Sequence, residues 1–273
     1  MLIDTHCHLD AREFDTDRIA VSEKALATGV RAIVIPAIER DNFAVVRDLA
    51  HAIPGGCYAL GIHPLYVERA HDSDLDSLHV EIERSMADPR FVAVGEVGLD
   101  FFVKDIASGP AREKQERFYE AQLRMAVEFG LPLLLHVRRS QDILLKYLRR
   151  LPQRPGGIAH AFNGSDQQAD AFVGLGFALG MGGAMTYERS LQIRRHAASR
   201  PLSELVLETD SPDIAPAWLQ GASRRNTPAQ VAGVAQSLAA LRNETVEHVT
   251  MHTGATACRV LPRLGAFLRP ATR

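Results

Sequence analysis

Residues 110–135 read PAREKQERFYEAQLRMAVEFGLPLLL, and the change of period inside this stretch decides the fold. Phe118, Ala121, Met125 and Phe129 recur at helical spacing behind Pro110, a residue suited to a first helical turn, and Gly130 with Pro132 ends the run. The apolar residues Leu131 to Leu135 follow at once as a strand. The same alternation continues outward in both directions. Short apolar or β-branched runs fall at Leu2 to Thr5, Arg31 to Pro36, Cys57 to Gly61 and Phe91 to Gly95, and after Leu131 to Leu135 at Gly157 to Ala159, Gly176 to Gly180 and Glu204 to Thr209. Strands separated by helices pair in parallel through crossover connections, and eight such units predict an α/β fold closed as a (β/α)8 TIM barrel.

The length of 273 residues suits one large barrel or two ordinary domains. No Ser/Gly-rich linker, repeat or low-complexity segment divides the chain, so residues 1–273 are expected to form a single domain. A helical stretch at about Asn243 to Arg263 is expected to close over the barrel, and Trp218 to Thr227 reads as a long loop after the eighth strand. Long loops at that face often build substrate sites.

Hydrophobic residues make up 46% and charged residues 23%, which excludes a disordered or collagen-like chain. Lys+Arg 31 against Asp+Glu 33 leaves a net charge of −2. A protein that coats DNA needs a global basic field, which is missing here, whereas an enzyme needs only a local basic or metallic patch. Cys7, Cys57 and Cys258 are odd in number and far apart, which argues against a disulfide framework or a thiolate zinc site. The start Met1-Leu2-Ile3-Asp4-Thr5-His6 lacks the basic and long apolar stretches of a secretory signal. The longest apolar run is far short of the ~20 residues that span a bilayer. A cytoplasmic protein without membrane contact is expected.

The chemistry lies in where the histidines fall. Of eleven, five (His6, His8, His63, His136 and His160) stand at or just beyond the carboxyl ends of predicted strands. Those ends converge on one mouth of a TIM barrel, where active sites are built. Glu96 just after the fourth strand and Asp210 after the eighth join them. Imidazole with carboxylate suits Zn, Mn, Fe, Co or, with more oxygen ligands, Mg. On an extended segment His6 and His8 face one side and Cys7 the other, so Cys7 is not expected to be a ligand. Glu96 can bridge two cations, placing His6 and His8 on one ion and His136 and His160 on the other; ions ~3.5–4 Å apart activate a water and stabilise a leaving oxygen together.

Each piece alone has a plainer reading. The H-x-H pair suits a buried hydrogen-bonded couple, Glu96 an ion pair, and Asp210 a turn or helix cap. Taken together, a cation satisfies polar groups that would otherwise meet at one mouth at high cost. His63, in Gly61-Ile62-His63-Pro64, is either a substrate contact or a turn histidine. Arg138 and Arg139 either offer a fork to phosphate oxygens or cap the next helix. His51, His71, His79, His196, His248 and His252 fall in helices or loops, are expected to be solvated and receive no role.

The segments Ile3-Asp4-Thr5-His6-Cys7-His8, Gly61-Ile62-His63-Pro64, Gly95-Glu96-Val97-Gly98-Leu99-Asp100, His136-Val137-Arg138, His160-Ala161-Phe162-Asn163-Gly164 and Leu207-Glu208-Thr209-Asp210-Ser211-Pro212 resemble those of the TatD-type metal-dependent deoxyribonucleases, a branch of the amidohydrolase-like barrels. Arg225-Asn226-Thr227-Pro228 is similar to the family's next motif. The resemblance implies a TIM barrel with its metal site at the carboxyl-terminal mouth and hydrolysis of phosphodiesters, typically 3′-to-5′ trimming of DNA. It implies metal roles for His6, His8, Glu96, His136, His160 and Asp210. Members often carry Ser or Thr where Asn163 stands.

The expected enzyme is therefore a hydrolase of ester bonds, a deoxyribonuclease that uses one or two divalent ions (Mg, Mn, Zn or Co). Asp210 binds an ion and accepts the proton of the attacking water, Glu96 shares the catalytic role, and His63, Arg138 and Asn226 are the candidate substrate contacts. DNA or a nucleotide is the expected partner, with no stable protein partner and a monomeric state. The alternative is an amidohydrolase-type enzyme that attacks carbon in a small amide, ester or aminoacyl-tRNA linkage with the same ions. A scaffold with a structural metal is a third reading, but structural zinc sites close with four ligands, fewer than the six candidates here.

Overall fold

The computed structural model describes residues 1–221 and 224–269; two positions of the expected 218–227 loop, 222 and 223, lie outside them. Eight strands run in chain order through one parallel sheet: β1 (Leu2–Asp4), β2 (Val30–Pro36), β3 (Gly56–Leu60), β4 (Phe91–Asp100), β5 (Leu133–Arg138), β6 (Gly157–Ala159), β7 (Phe177–Met181) and β8 (Leu205–Leu207). A helix follows each strand: α1 (Arg18–Ala27), α2 (Phe43–Ala52), α3 (Asp72–Ser85), α4 (Gly109–Glu128), α5 (Gln141–Leu148), α6 (Asp166–Gly174), α7 (Leu191–Ser199) and α8 (Val231–Arg242). The ring is drawn together just past β1 and β8. The Thr5 amide donates to the Leu207 carbonyl (3.1 Å), the Asp210 amide to that of His6 (2.9 Å) and the His8 amide to that of Ser211 (2.8 Å). The fold is a (β/α)8 TIM barrel.

All eight expected strands are present, and the quoted stretch behaves as its period dictates. Phe118, Tyr119 and Leu123 of α4 are fully buried, each large side chain contributing about 1.5–3 kcal/mol, and Gly130 turns the chain at φ 63°. Two boundaries differ from expectation. β4 continues to Asp100, so Glu96 lies inside the strand, and His136 lies inside β5. The reason is a bulge: Val94 pairs with Leu133 but Val97 with Leu135, so β4 spends one extra residue at Gly95-Glu96 and then resumes its ladder. Bulges re-aim side chains beside active sites.

A buried cluster inside the barrel contains Ile3, Val34, Ala59, Leu134, Ile158 and Val206, joined by Ala257, Val260, Leu261 and Leu264. These last four belong to α9 (Val246–Val260), α10 (Pro262–Phe267) and the residue between. The closing segment expected at 243–263 is thus two helices, parted at Leu261 by the proline that follows. They sit at the amino ends of the strands, since Met1 bonds Thr250 and Arg263 bonds the carbonyl of Phe91. The opposite, carboxyl end is left open. Among the described residues, no helix is long and apolar enough to cross a membrane. The three cysteines are unbridged.

Candidate metal centre

The open end is a cleft of about 1150 Å³ whose lining includes His8, His63, Glu96, His136, His160 and Asp210. At its floor the Nε2 of His6 lies 3.0 Å from Glu96 Oε2 and 3.2 Å from the Nε2 of His8. Glu96 Oε1 is 2.9 Å from His136 Nδ1, and Asp210 Oδ2 is 3.5 Å from His160 Nε2. Among the described residues three donor groups converge: His6 with His8 and Glu96, His6 with His160 and Asp210, and His63 with Glu96 and His136. Glu96 belongs to two of them. The His160 ring stacks on His6 at 3.8 Å between centroids and lies beside Asp210, so His136 and His160 fall in different groups.

Local sequence fixes this geometry. Asp4 at the end of β1 accepts from the Thr209 amide (2.9 Å) and hydroxyl (2.6 Å), tying the His6 segment to the Asp210 segment. Cys7 faces away from the donors and contacts Ser211 Oγ with its sulfur at 3.1 Å. Asp210 itself holds φ 56°, a left-handed conformation that costs about 1–3 kcal/mol for a non-glycine residue and recurs at functional sites. Gly180 leaves room for the Glu208 carboxylate, which a Cβ there would strike.

The charges respond to this crowding. Burial alone would raise the Glu96 carboxyl, yet His63 and His6 beside it, with hydrogen bonds from His136 and His6, carry it well below the ordinary range. Asp210 is likewise pushed up by burial but held at about 2 by His160, His6 and His8. Burial would discharge His8 and His160. Glu96 and Asp210 instead raise His8 to about 9, and Glu208 and Asp210 raise His160 well above its ordinary value. Burial prevails at His6, which is lowered, and at His63, lowered to about 4.

Imidazole nitrogens facing each other at 3.2 Å must share a proton or a cation. With two ionised carboxylates among them, the set fits divalent cations of the Zn, Mn, Fe or Co kind. His63 stands apart within it. Its Nδ1 accepts from the Leu65 amide, so the neutral ring carries its proton on Nε2, which faces His136 Nδ1 at 3.0 Å, and presents a hydrogen-bond donor.

The remaining sequence candidates divide. Arg138 lines the cleft, 3.7 Å from Asp100 and with its guanidinium over the Phe102 ring. Asn226 is buried; its amide donates to the carbonyls of Thr209 (2.8 Å) and Asp213 (2.9 Å), so it clamps the loop beneath the mouth. His196, expected in solvent, is fully buried because its Nε2 bonds the Gly164 carbonyl at 2.7 Å, securing the segment after His160. The sequence reading does not single out Asp100, 3.0 Å from His136 Nε2, or Glu208, 3.0 Å from His160 Nδ1. Spacing carries a signal for both: Asp100 is four residues from Glu96 and Glu208 two from Asp210, the parity that puts strand residues on one face.

Residues 3–262 match the family of TatD related DNases. A metal-dependent hydrolase of Escherichia coli K12, YjjV, is 41% identical over 247 residues, covering 90% of this chain and 92% of its own. The 3′-5′ ssDNA/RNA exonuclease TatD of Yersinia pseudotuberculosis serotype O:3 is 33% identical over 267 residues, covering 95% of this chain and 98% of that protein. The crystal structure of the E. coli protein YjjV superposes with a TM-score of 0.87 at 40% identity, over 96% of this chain and 98% of that one.

Proposed function

The chain belongs to the TatD family of metal-dependent hydrolases, and from that premise we propose that it hydrolyses phosphodiester bonds, trimming single-stranded DNA from its 3′ end. The observation that carries the reading is the joining, in one cleft, of the donor cluster with the guanidinium groups of Arg138 and Arg139, a pairing suited to a phosphate chain. The relative named as a 3′-5′ ssDNA/RNA exonuclease, similar over 95% of this chain, supports the same substrate.

His6, His8 and Glu96 would hold one divalent cation, and Glu96 with His136, or His160 with Asp210, a second. When bound, such ions supply Lewis acidity and a nucleophile competent at neutral pH. The protein does the rest. Asp210, ionised down to about pH 2, takes the proton of the attacking water on its carboxylate. His63 is a substrate contact at the wall of the cleft, and Arg138 pairs with the phosphate of the strand. Asp100 and Glu208 fix the rings of His136 and His160, so the acceptor and donor groups meet the substrate already oriented.

The test is hydrolysis of a short 5′-labelled single-stranded DNA by metal-stripped protein resupplied separately with Mg, Mn, Zn and Co, with Asp210→Asn as control. A metal-dependent ladder shortened from the 3′ end, absent in the control, is expected. No cleavage by folded, metal-loaded protein overturns the reading. The rim also carries Asp10, Glu13 and Asp213, which suit an ammonium group, so an aminoacyl ester is the next substrate in that event.

A further inference from the structure

Large apolar rings seldom stand in water without a reason, and the two exposed aromatic rings among the described residues differ in setting. Trp218 is 42% exposed and Phe102 46%. The indole of Trp218 is anchored to Gln230 at 2.8 Å, whereas Phe102 lines the catalytic cleft. The guanidinium carbons of Arg138 and Arg139 lie 3.9 and 4.8 Å from the Phe102 ring centre. Its backbone is held as well: the Phe102 amide donates to Asp100 Oδ1 at 2.8 Å, and Asp100 Oδ2 meets His136 at 3.0 Å. One carboxylate thus holds both the Phe102 backbone and a ring of the donor cluster.

The rim is electrically divided. On the β5 side, Arg138 and Arg139 are exposed, and the neighbouring Asp100 is fully buried. Beyond β1 and β8 stand Asp10, Glu13 and Asp213, with the cation Arg12; Arg69, beyond β3, is already paired with Glu39 at 2.6 Å. A polyanion entering the cleft is drawn to the first side and repelled by the second. Planar guanidinium groups over an aromatic ring are what unpaired bases stack on, and such stacking tolerates any base.

We propose that Phe102, Arg138 and Arg139 form a base-stacking platform for single-stranded nucleic acid, and that the strand lies over this lip rather than across the Asp10, Glu13 and Asp213 side. The proposal rests on the nuclease reading and names where that substrate is gripped. Stacking on Phe102 holds a base beside the cleavable bond, while the two arginines neutralise phosphates of the same segment.

The experiment compares KM and kcat of metal-loaded protein on a thymidine decanucleotide and on a strand of equal length that is abasic except at its labelled 5′ end. Removal of one stacking ring costs roughly 5- to 150-fold in affinity. Phe102→Ala is expected to raise KM on the base-bearing strand by that factor, so that its advantage over the abasic strand disappears; Phe102→Trp restores the advantage. Arg139→Gln is expected to flatten the salt dependence of log KM by about 0.7 for each phosphate that the guanidinium had neutralised. If Phe102→Ala keeps the preference for bases, or raises KM equally on both strands, the platform is wrong while the nuclease reading stands. If the wild type trims neither strand, both fall.

Discussion

Asp100 Oδ2 lies 3.0 Å from the Nε2 of His136, so the nitrogen that this ring turns toward Glu96, at 2.9 Å, is Nδ1. Carboxylates behind ligating imidazoles set the tautomer and orientation of the ring, and their loss typically costs 10–100-fold in metal affinity or activity. Asp100→Asn keeps an oxygen for the Phe102 and Val103 amides but removes the negative charge behind His136. We expect metal affinity, read by calorimetric titration with Mn or Zn, to fall by about 10–100-fold with the circular dichroism spectrum unchanged. Wild-type affinity in this variant would detach Asp100 from the centre.

Metal removal should leave the barrel folded, because its interior cluster is closed by α9 and α10 at the end away from the donors. A ligand that binds the native state alone at 100 times its Kd contributes about 2.7 kcal/mol. Reloading the stripped protein should therefore raise Tm by several degrees. A Tm indifferent to Zn, Mn and Co would show that the donor groups do not bind a cation.

Asn226 offers a choice between two measurable roles. Its amide serves the carbonyls of Thr209 and Asp213, and leaving buried acceptors unserved costs about 1–3 kcal/mol. Asn226→Ala should lower stability in urea by that amount. A substrate contact would instead show as a raised KM at wild-type stability.

The chain announces its fold plainly because a TIM barrel is written in local periods: the 110–135 stretch shows both of them. The donors were legible for a related reason, since a strand end fixes where a residue such as His6 or His160 can stand. Less legible was what happens at Gly95-Glu96, because a bulge is a mismatch between two strands and leaves no period in either. His196 misled for a third reason, which also leaves the role of Asn226 to experiment. Whether a polar side chain faces the cleft or a backbone carbonyl is set by a loop's path, and the carbonyls of Thr209 and Gly164 cannot be seen in side-chain identity.

Away from the centre, Asp88 links acid stability to one cluster. Burial alone would raise its pKa, but His51 at 2.7 Å, the Arg90 amide at 2.9 Å and the Tyr58 hydroxyl at 3.0 Å hold it below the ordinary value. A carboxylate whose folded pKa is depressed stabilises the protein above its unfolded pKa of about 3.9, and loses that contribution as pH falls through the folded value. Asp88→Asn should be less stable than wild type at pH 7, and the gap should narrow below about pH 4. A gap independent of pH would break the link.

Gly180 stands where a methyl group would collide with the Glu208 carboxylate, and that carboxylate accepts from the Ala161 amide at 2.7 Å while lying 3.0 Å from His160 Nδ1. The absence of a side chain in β7 is thus a condition for the orientation of His160. Gly180→Ala should destabilise the protein by about 1–3 kcal/mol, the usual cost of overpacking, and should weaken metal binding through His160. The cause can be isolated by a double-mutant cycle, since residues in contact do not add. In a Glu208→Ala background the obstructed group is gone, so the added methyl should cost little. If Gly180→Ala costs the same in both backgrounds, the strain arises in the strand itself, and Glu208 is not what the glycine accommodates.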